Sequence, residues 1–560
     1  MTDQIDAKPH MLRHFREILL WPLQLMPLRE DSQIQNHWEI LDRPAPDNPW
    51  SEVDDEFTGD PGQFQSRHYS EFVTFLPHVR QFLYGDGKGR ASMPAESPIH
   101  VYRRNDIRQV RCTFPDPAMP PVVLEVMHVE LYFFYDIDIT MLTIELHASD
   151  IPLAVAQEIM FRFGRAYPIY WENDGSGGHC LKTVEWLSAS GEVLATSDYE
   201  RRDKFLRHVG EFRAPTESAH WDFILRPLVQ HHSDAVGPLR YRQLEYHRMP
   251  VMGYFALEDD PRRLSRSDFL RLTFVTPPGD SGRTPFGGSM AQNFESKYCF
   301  DHYWNDHPDG PPGTRYMCCG EALMIVGSAQ QKFFYTPSGG LLQQFRHQYF
   351  LLFLISHMHK ATLFMMADRL VYWLKRLDIQ DPESVKRFKR EIRKLKEIFL
   401  RFTHRYWFHH ISDQWQMRAL YQMQRGFLGT TELYDEVRER IEDMDTYLDS
   451  DSLRRQANTV VRLTVVTAFG LIGTTVTGYF GMNLLSLGEL DDFTKAVYFL
   501  GILAATTWIT FFTVMKSKRL SDFLDLLSDE REPARRKLTA FFKVWRRKPP
   551  TAGDKPGASR

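Results

Sequence analysis

Two long apolar segments without charge, near the C-terminus, constrain this chain more than any other feature. Residues 463–480 read LTVVTAFGLIGTTVTGYF, and residues 496–515 read AVYFLGILAATTWITFFTVM. A helix rises about 1.5 Å per residue, so each segment is close to the roughly 20 residues that cross about 30 Å of hydrocarbon. We therefore predict two transmembrane helices, at 459–480 and 496–515, joined by a loop at 481–495.

The charges around these segments predict their orientation. Three arginines precede the first span at 454–462, and three basic residues follow the second at 516–519. The loop carries Glu489, Asp491 and Asp492 against a single Lys495. Because positive flanks stay in the cytoplasm, the loop lies outside. This predicts a multi-pass protein of the plasma (inner) membrane with both termini cytoplasmic and a basic cytosolic tail at 516–560.

The sequence before the first span has the composition of a water-exposed body. The 560 residues carry 68 Lys and Arg against 72 Asp and Glu, a balance that argues against a nucleic-acid partner. The five cysteines are scattered and suggest no disulfide framework, which fits a reducing compartment. The first fifteen residues lack the pattern of a signal peptide, so we expect the body to stay in the cytoplasm.

Residues 1–338 are predicted to form a cytosolic α/β domain, because strand-like and helix-like patterns alternate along them. Segments rich in β-branched and aromatic residues predict strands at 99–104, 107–114, 122–135, 140–148, 244–257, 269–275 and 322–328. Apolar residues at helical spacing predict helices at 10–26, 67–84 and 152–167.

Several features of this domain invite a catalytic or metal-binding interpretation. The glycine-rich stretch 277–289 lacks the GK[ST] of a phosphate loop, so we interpret it as a surface loop. Asp136 and Asp138 fit the wet face or the end of a strand better than a catalytic pair. With no nucleophile motif, we predict neither an enzyme nor a prosthetic group. Zinc ligands could come from Cys299, His302, His307, Cys318 and Cys319, although their spacing matches no familiar finger.

Residues 339–458 are predicted to be helical. The apolar run at 349–355 is cut short by His357, His359 and Lys360, so it predicts a buried helix and not a membrane span. Residues 383–407 form a basic amphipathic pattern, with either a solvated face or a role at a membrane surface or an acidic partner. Gly426 and Gly429 are expected to loosen or break the helix that contains them.

A long acidic stalk helix is predicted to run from residue 430 into the first span. One apolar stripe, suited to packing against partner helices, contains Leu433, Val437, Ile441, Met444 and Leu448. The other faces are crowded with carboxylates, the oxygen ligands that hard divalent cations prefer. A solvated acidic helix remains the alternative. The acids are Glu432, Asp435, Glu436, Glu439, Glu442, Asp443, Asp445, Asp449 and Asp451.

The first span is two-sided on a helical wheel. One face is bulky, and the other is small or hydroxylated: Leu463, Thr464, Thr467, Leu471, Thr474, Gly478 and Gly481. This second face fits either a tight helix–helix seam or the wall of a water-filled pore gated by its leucines. A pore requires oligomerisation, since two spans enclose nothing alone. Asn483 would then form a ring at the outer mouth, where an amide oxygen contacts the water shell of Mg²⁺ without removing it.

The sequence Tyr479-Phe480-Gly481-Met482-Asn483, which closes the first of two C-terminal spans, resembles the CorA superfamily of divalent-cation transporters. Asn458 and the pair Leu463-Thr464 also resemble its pore-helix pattern. The resemblance implies a homopentameric Mg²⁺ channel with a cytosolic α/β funnel, long stalk helices and gating by cytosolic Mg²⁺.

The resemblance also assigns roles to residues. It implies a selectivity filter at Gly481, Met482 and Asn483, and a pore lined by Leu463, Thr464, Thr467, Leu471, Thr474 and Gly478. Regulatory metal sites are expected among Asp443, Asp445 and Asp449, while Glu489, Asp491 and Asp492 concentrate cations outside. Two alternatives stay open: a zinc transporter similar to ZntB, and a non-conducting sensor or scaffold tethered to the membrane.

Overall fold

The computed structural model describes residues 9–28, 36–42, 48–53, 69, 72–84, 98–237, 239–244, 248–336, 340–378 and 381–481, and then residues 491, 493–494, 496–498, 500–501, 504–505, 508 and 512. The chain divides into two compact units, Met1–Ile441 and Glu442–Arg560. The domain boundaries proposed from the sequence remain predictions.

The first unit contains a large β-sheet. Its strands in the described residues are β1 Met11–Leu25, β2 Trp50–Glu52, β3 Ile99–Arg104, β4 Gln109–Thr113, β5 Val122–Phe134, β6 Ile137–Ala148, β7 Ile151–Pro152, β8 Thr183–Leu187, β9 Val193–Thr196, β10 Val229–Gln230, β11 Arg240–Gln243, β12 Val251–Leu257, β13 Cys299–Phe300, β14 Thr314–Cys318 and β15 Ala322–Ser328. The strands predicted near residues 99, 107, 122, 140, 251 and 322 are confirmed.

The strands follow the order β13-β14-β15-β12-β1-β6-β5-β4-β8-β9. Most neighbours are antiparallel, but β12 and β15 run parallel, so the sheet is mixed. Helices on this sheet confirm the predicted N-terminal α/β domain. The large rings of Trp21, Trp186 and Trp221 are fully buried in its core.

Residues 10–26 were predicted to be a helix, and this prediction is wrong. They form β1, which is paired with β6 from Phe15↔Ala148 to Gln24↔Ile139 and with β12 on its other side. Burial on both faces produces a continuous apolar run that periodicity does not separate from a buried helix. Pro22 was the missed signal, because proline breaks a helix interior. Pro22 lies between the residues of β1 that pair with β12 and those that pair with β11, where its missing N–H costs little.

The helices of the described residues follow in chain order. They are α1 Pro77–Tyr84, α2 Leu153–Arg162, α3 Arg202–Phe212, α4 Ala219–Leu225, α5 Arg266–Thr273, α6 Gly288–Gln292, α7 Phe294–Tyr298, α8 Leu341–Gln344, α9 Phe350–Lys375, α10 Pro382–Arg405, α11 Trp415–Leu428 and α12 Thr430–Gly481. Short 3₁₀ turns lie at His37–Ile40 and Pro261–Arg263, and a π turn at Phe345–Tyr349 joins α8 to α9.

The strand predicted at 269–275 is also wrong, because these residues lie largely in α5. Ser265 caps α5 by accepting a hydrogen bond from the backbone N–H of Asp268, whose carboxylate accepts from the N–H of Ser265. This reciprocal capping box starts a helix. The capping box therefore outweighs the local β propensity of the segment.

The apolar helix that follows the sheet is a core element. Among the described residues, one helix has the length and mean hydropathy to cross a membrane, Leu341–Lys375, and most of it is buried. Its middle residues, such as Leu352, Phe353 and His357, are inaccessible to solvent. The prediction of a buried helix here is confirmed.

Candidate ion-conducting helix

The predicted stalk and the first predicted span belong to one helix, α12. The preceding helix ends at Gly429, whose positive φ of 61° closes α11 in the left-handed conformation that glycine adopts freely. Gly426, by contrast, lies inside α11 and does not break it. The 52 residues of α12 continue to Gly481, which at about 1.5 Å per residue corresponds to roughly 80 Å of helix. The residues of the predicted stalk and those of the predicted span therefore lie in one continuous helix, and the membrane span itself stays a prediction.

The predicted pore face of α12 is uncovered in the single chain. Leu463 is 66% exposed, while Val465 on the opposite, bulky face is only 4% exposed. The side chain of Leu471 lies outside the described residues. The remaining residues of the face are also exposed: Thr464, Thr467, Thr474, Gly478 and Gly481. Gly478 and Gly481 have open space where a Cβ would project, so another helix or water can approach the backbone there.

The threonine hydroxyls along this face share one hydrogen-bonding pattern. Thr464 donates to the carbonyl of Val460 at 2.9 Å, and Thr467 donates to that of Leu463 at 2.8 Å. Thr474 donates to the carbonyl of Gly470 at 3.1 Å. Each hydroxyl proton is thereby used within the helix, and a hydroxyl oxygen can accept a hydrogen bond as well as donate one. Such a row of oxygen acceptors can bind the water shell of a hydrated cation.

The residues beyond the helix are described only in part. Gly481 is the last residue of α12, and Asp491 is exposed without regular structure. Met482, Asn483, Glu489 and Asp492 lie outside the described residues. From the predicted second span, the described side chains include exposed apolar ones: Val497, Tyr498, Leu500 and Trp508.

The stalk carboxylates that the structure describes do not form a metal-binding group. Asp443 is exposed and Asp445 is half-buried, while the side chain of Asp449 lies outside the described residues. In the described part of the chain, no group of three or more His, Cys, Asp or Glu side chains could hold a metal ion. A regulatory site built from these acids stays a prediction, and it would need ligands from outside the described side chains of one subunit.

The cysteines and histidines considered for zinc do not form a metal-binding group among the described residues. The Cys318 thiol donates to Oε1 of Gln424 at 2.8 Å, and the ring of His302 packs 4.4 Å from that of Trp415. Burial raises the pKa of Cys318 and Cys299 above the ordinary range and that of Cys319 to about 11. These thiols are therefore protonated at neutral pH in the metal-free fold.

The start of α12 is packed against the body of the first unit. The ring of Tyr434 stacks on Trp407 at 4.6 Å and on Phe399 of α10 at 5.3 Å. Val437 and Ile441 are buried on the same helix, as the apolar stripe predicts. The base of the stalk is therefore coupled mechanically to α10.

No local sequence pattern indicates that Asp136 anchors α10 to the sheet. Asp136 sits in the tight turn between β5 and β6 with φ of 63°, and its carboxylate pairs with Arg401 at 2.7 Å and Arg405 at 3.0 Å. Asp138 pairs with Arg369 of α9 at 2.6 Å. Contacts between residues more than 200 positions apart have no local sequence signal.

The C-terminal helices and the charged flank after the second predicted span have a counterpart among known families. Residues 377–519 match the family model described as CorA-like Mg²⁺ transporter protein. The match confirms the resemblance inferred from Gly481-Met482-Asn483, and it begins before that motif, at the turn between α9 and α10. No match was found among curated proteins or among solved structures.

The CorA-like segment covers about a quarter of the chain and includes α10, α11 and α12. The match supports divalent-cation transport in general, since members of this family are membrane-embedded divalent-cation transporters. The α/β body before residue 377 lies outside the match.

Proposed function

We propose that the chain is a divalent-cation channel that conducts Mg²⁺ across the membrane and is gated by cytosolic Mg²⁺. The observation that carries the proposal is the uncovered face of α12. It presents a row of threonine oxygens and leads to Gly481, within the segment that matches the CorA-like family.

The uncovered face also supports a homo-oligomer. One copy of the first span cannot surround a pore, and Leu463, at 66% exposure, would be an unusually exposed apolar residue unless neighbours or a lumen face it. By analogy with the family, five copies would place first spans inside and second spans against lipid. Native mass spectrometry of the full chain gives the copy number, and a monomer would exclude this arrangement.

Ion flux into proteoliposomes tests the proposal directly. We expect Mg²⁺ uptake by the full chain, with Asn483 and Gly481 in the filter at the outer mouth. Proton-driven Zn²⁺ flux without Mg²⁺ flux would indicate the zinc-transporter alternative. A well-folded protein that moves no divalent ion would indicate a tethered sensor or scaffold.

The threonine row allows a matched comparison. Thr474→Val removes an exposed hydroxyl from the predicted pore face, so it should reduce Mg²⁺ flux severalfold. Thr477 makes the same type of back-bond, to Gly473 at 3.0 Å, but is half-buried and lies to the side of this face. Thr477→Val should therefore leave flux nearly unchanged. Equal losses in both variants would count against a pore along this face.

The regulatory part of the proposal concerns the acidic stalk. If Asp443, Asp445 and Asp449 bind Mg²⁺ between subunits, millimolar Mg²⁺ should protect amides of the stalk from hydrogen exchange, because binding suppresses local opening. The triple replacement by Asn should remove this protection. Unchanged protection in the triple variant would assign the regulation to other residues.

A further inference from the structure

The last turns of α9 carry exposed apolar side chains, one of them next to a cation. Although most of α9 is buried, its last turns expose Val371 and Tyr372 at 44% each and Leu374 at 48%. The guanidinium of Arg376 lies 4.1 Å above the ring centre of Tyr372. The end of this helix thus has an amphipathic surface that the sheet does not cover.

The facing helix, α10, is basic on its outer side. It contains nine lysines and arginines against three glutamates. Its inner face packs through Phe388, Ile392 and Leu395, which are buried. Some of its cations are neutralised, such as Arg401 by Asp136. The apolar face of α10 therefore packs against the body, and its opposite face is charged.

Three cations of α10 have no ion-pair partner among the described residues. Lys386, Arg387 and Arg393 are exposed, and no ion pair is found for them among the residues that the structure describes. Arg387 and Arg376 also line one cleft of about 330 Å³ between the two helices, together with Asp378 and Asp381. Asp381 is occupied as the cap of α10, accepting from the backbone N–H of Glu383 and of Ser384 at 3.1 Å each.

We propose that this surface docks on anionic lipid headgroups of the cytoplasmic leaflet. We call it the basic hairpin face, and it consists of Val371, Tyr372, Leu374, Lys386, Arg387 and Arg393. Cations next to exposed aromatic and aliphatic side chains are the chemistry of a membrane interface: the charges pair with lipid phosphates and the apolar groups enter the headgroup layer. The proposal requires the body to lie on the cytoplasmic side, but it does not require the chain to conduct ions.

A nitroxide at Leu374→Cys tests the proposal in the full chain reconstituted into vesicles. The partly accessible Cys299 and Cys319 are replaced by serine, while the other three cysteines are buried. In vesicles of phosphatidylcholine with phosphatidylglycerol, the label should collide more often with oxygen and less often with a water-soluble nickel complex than in pure phosphatidylcholine. The shift should disappear at high salt, because the Debye length falls to about 3 Å at 1 M.

The charge-reversed variant Lys386→Glu/Arg387→Glu/Arg393→Glu should lose this shift, since each basic residue near an anionic leaflet changes the docking equilibrium roughly fivefold. Arg207→Glu, at an exposed arginine of α3, is the matched control and should keep it. Equal collision rates with oxygen and with the nickel complex in neutral and anionic vesicles, for the labelled chain without charge reversal, would overturn the proposal. Spin–spin broadening in detergent, without vesicles, would also overturn it by showing a second copy on this face.

Discussion

At the residue scale, Glu17 is a buried carboxyl group in the middle of β1 for which the described residues supply no hydrogen-bond partner. It lies between Gly253 of β12 and Leu146 of β6 and is inaccessible to solvent. Neither of its carboxylate oxygens has a hydrogen-bond partner among the described residues. Burial raises the pKa of Glu17 to about 8. The group is therefore protonated in the folded protein at neutral pH.

A neighbouring acid shows the opposite outcome. Glu145, on the adjacent strand, is also buried, and burial alone would raise its pKa. Arg16 and Arg346 outweigh this effect and lower the pKa of Glu145 to about 2. Nε of Arg346 lies 2.6 Å from Oε1 of Glu145 and ties the π turn of the helical region to the sheet. The sequence alone does not distinguish the two glutamates. Their neighbours in the fold shift their pKa values in opposite directions.

Glu17→Gln should make the stability of the protein less dependent on pH. A carboxyl whose pKa is raised on folding contributes fully below its unfolded value of 4.5, and the contribution is lost as pH rises through about 8. The amide does not ionise, so the free energy of unfolding of the variant should fall less between about pH 5 and about pH 9. The difference from the unsubstituted protein should be on the order of 2 kcal/mol or more. Melting temperatures measured across this pH range show it.

Glu192→Gln, at an exposed turn, serves as the control and should behave as the unsubstituted chain. Parallel pH profiles for Glu17→Gln and the unsubstituted protein would show that Glu17 is ionised or paired in solution.

At the element scale, the turn between β5 and β6 holds α10 in place. Besides the two ion pairs of Asp136, the hydroxyl of Tyr406 donates to the carbonyl of Tyr135 at 3.1 Å. Because Phe399 of α10 in turn contacts Tyr434 of α12, this turn is a mechanical link between the sheet and the base of the stalk.

Asp136→Asn should weaken this link without straining the turn. Asparagine tolerates the positive φ of this position, so the variant loses charge alone. Both arginines are about half exposed, which limits the expected loss of unfolding free energy to about 1 kcal/mol. Chemical unfolding of the full chain measures it.

Asp150→Asn is the matched comparison, because Asp150 also has a positive φ, of 55°, but makes one exposed ion pair, with Arg13. Its effect should be smaller. A loss in Asp150→Asn equal to that in Asp136→Asn would mean that the ion pairs to α10 add no stability.

The elements differ in how far their sequence predicts them. Strands β3 to β6, the helix α10 and the end of α11 at Gly429 follow from local signals: alternation, helical periodicity and a glycine that adopts positive φ. The strand β1 does not, because its conformation depends on two partner strands that lie more than 100 residues away. The helix α5 was mispredicted although its capping box is local, since the apolar residues were weighed above the cap.

At the scale of the whole molecule, the sequence was most informative about the C-terminal part. Two apolar segments and Gly481-Met482-Asn483 led to the same family as the match over residues 377–519. The strand order of the body was not predictable, because it is decided by pairings such as β12 with β15, whose paired residues are 71 positions apart in the chain (Val251↔Ala322). The position of the stalk acids in an assembly likewise depends on neighbouring copies and not on the order of residues in one chain.

We propose that Gly481-Met482-Asn483 forms the outer mouth of a pore for Mg²⁺ and that the hydroxylated face of α12 lines this pore. The most direct measurement is Mg²⁺ uptake into proteoliposomes that contain the full chain or its Asn483→Ala variant, with equal amounts of folded protein confirmed in each. We expect uptake by the unsubstituted chain and a loss of at least tenfold in the variant, corresponding to about 1.4 kcal/mol or more in the barrier to permeation. Uptake that is absent from the unsubstituted chain, or equal in both, would contradict the account.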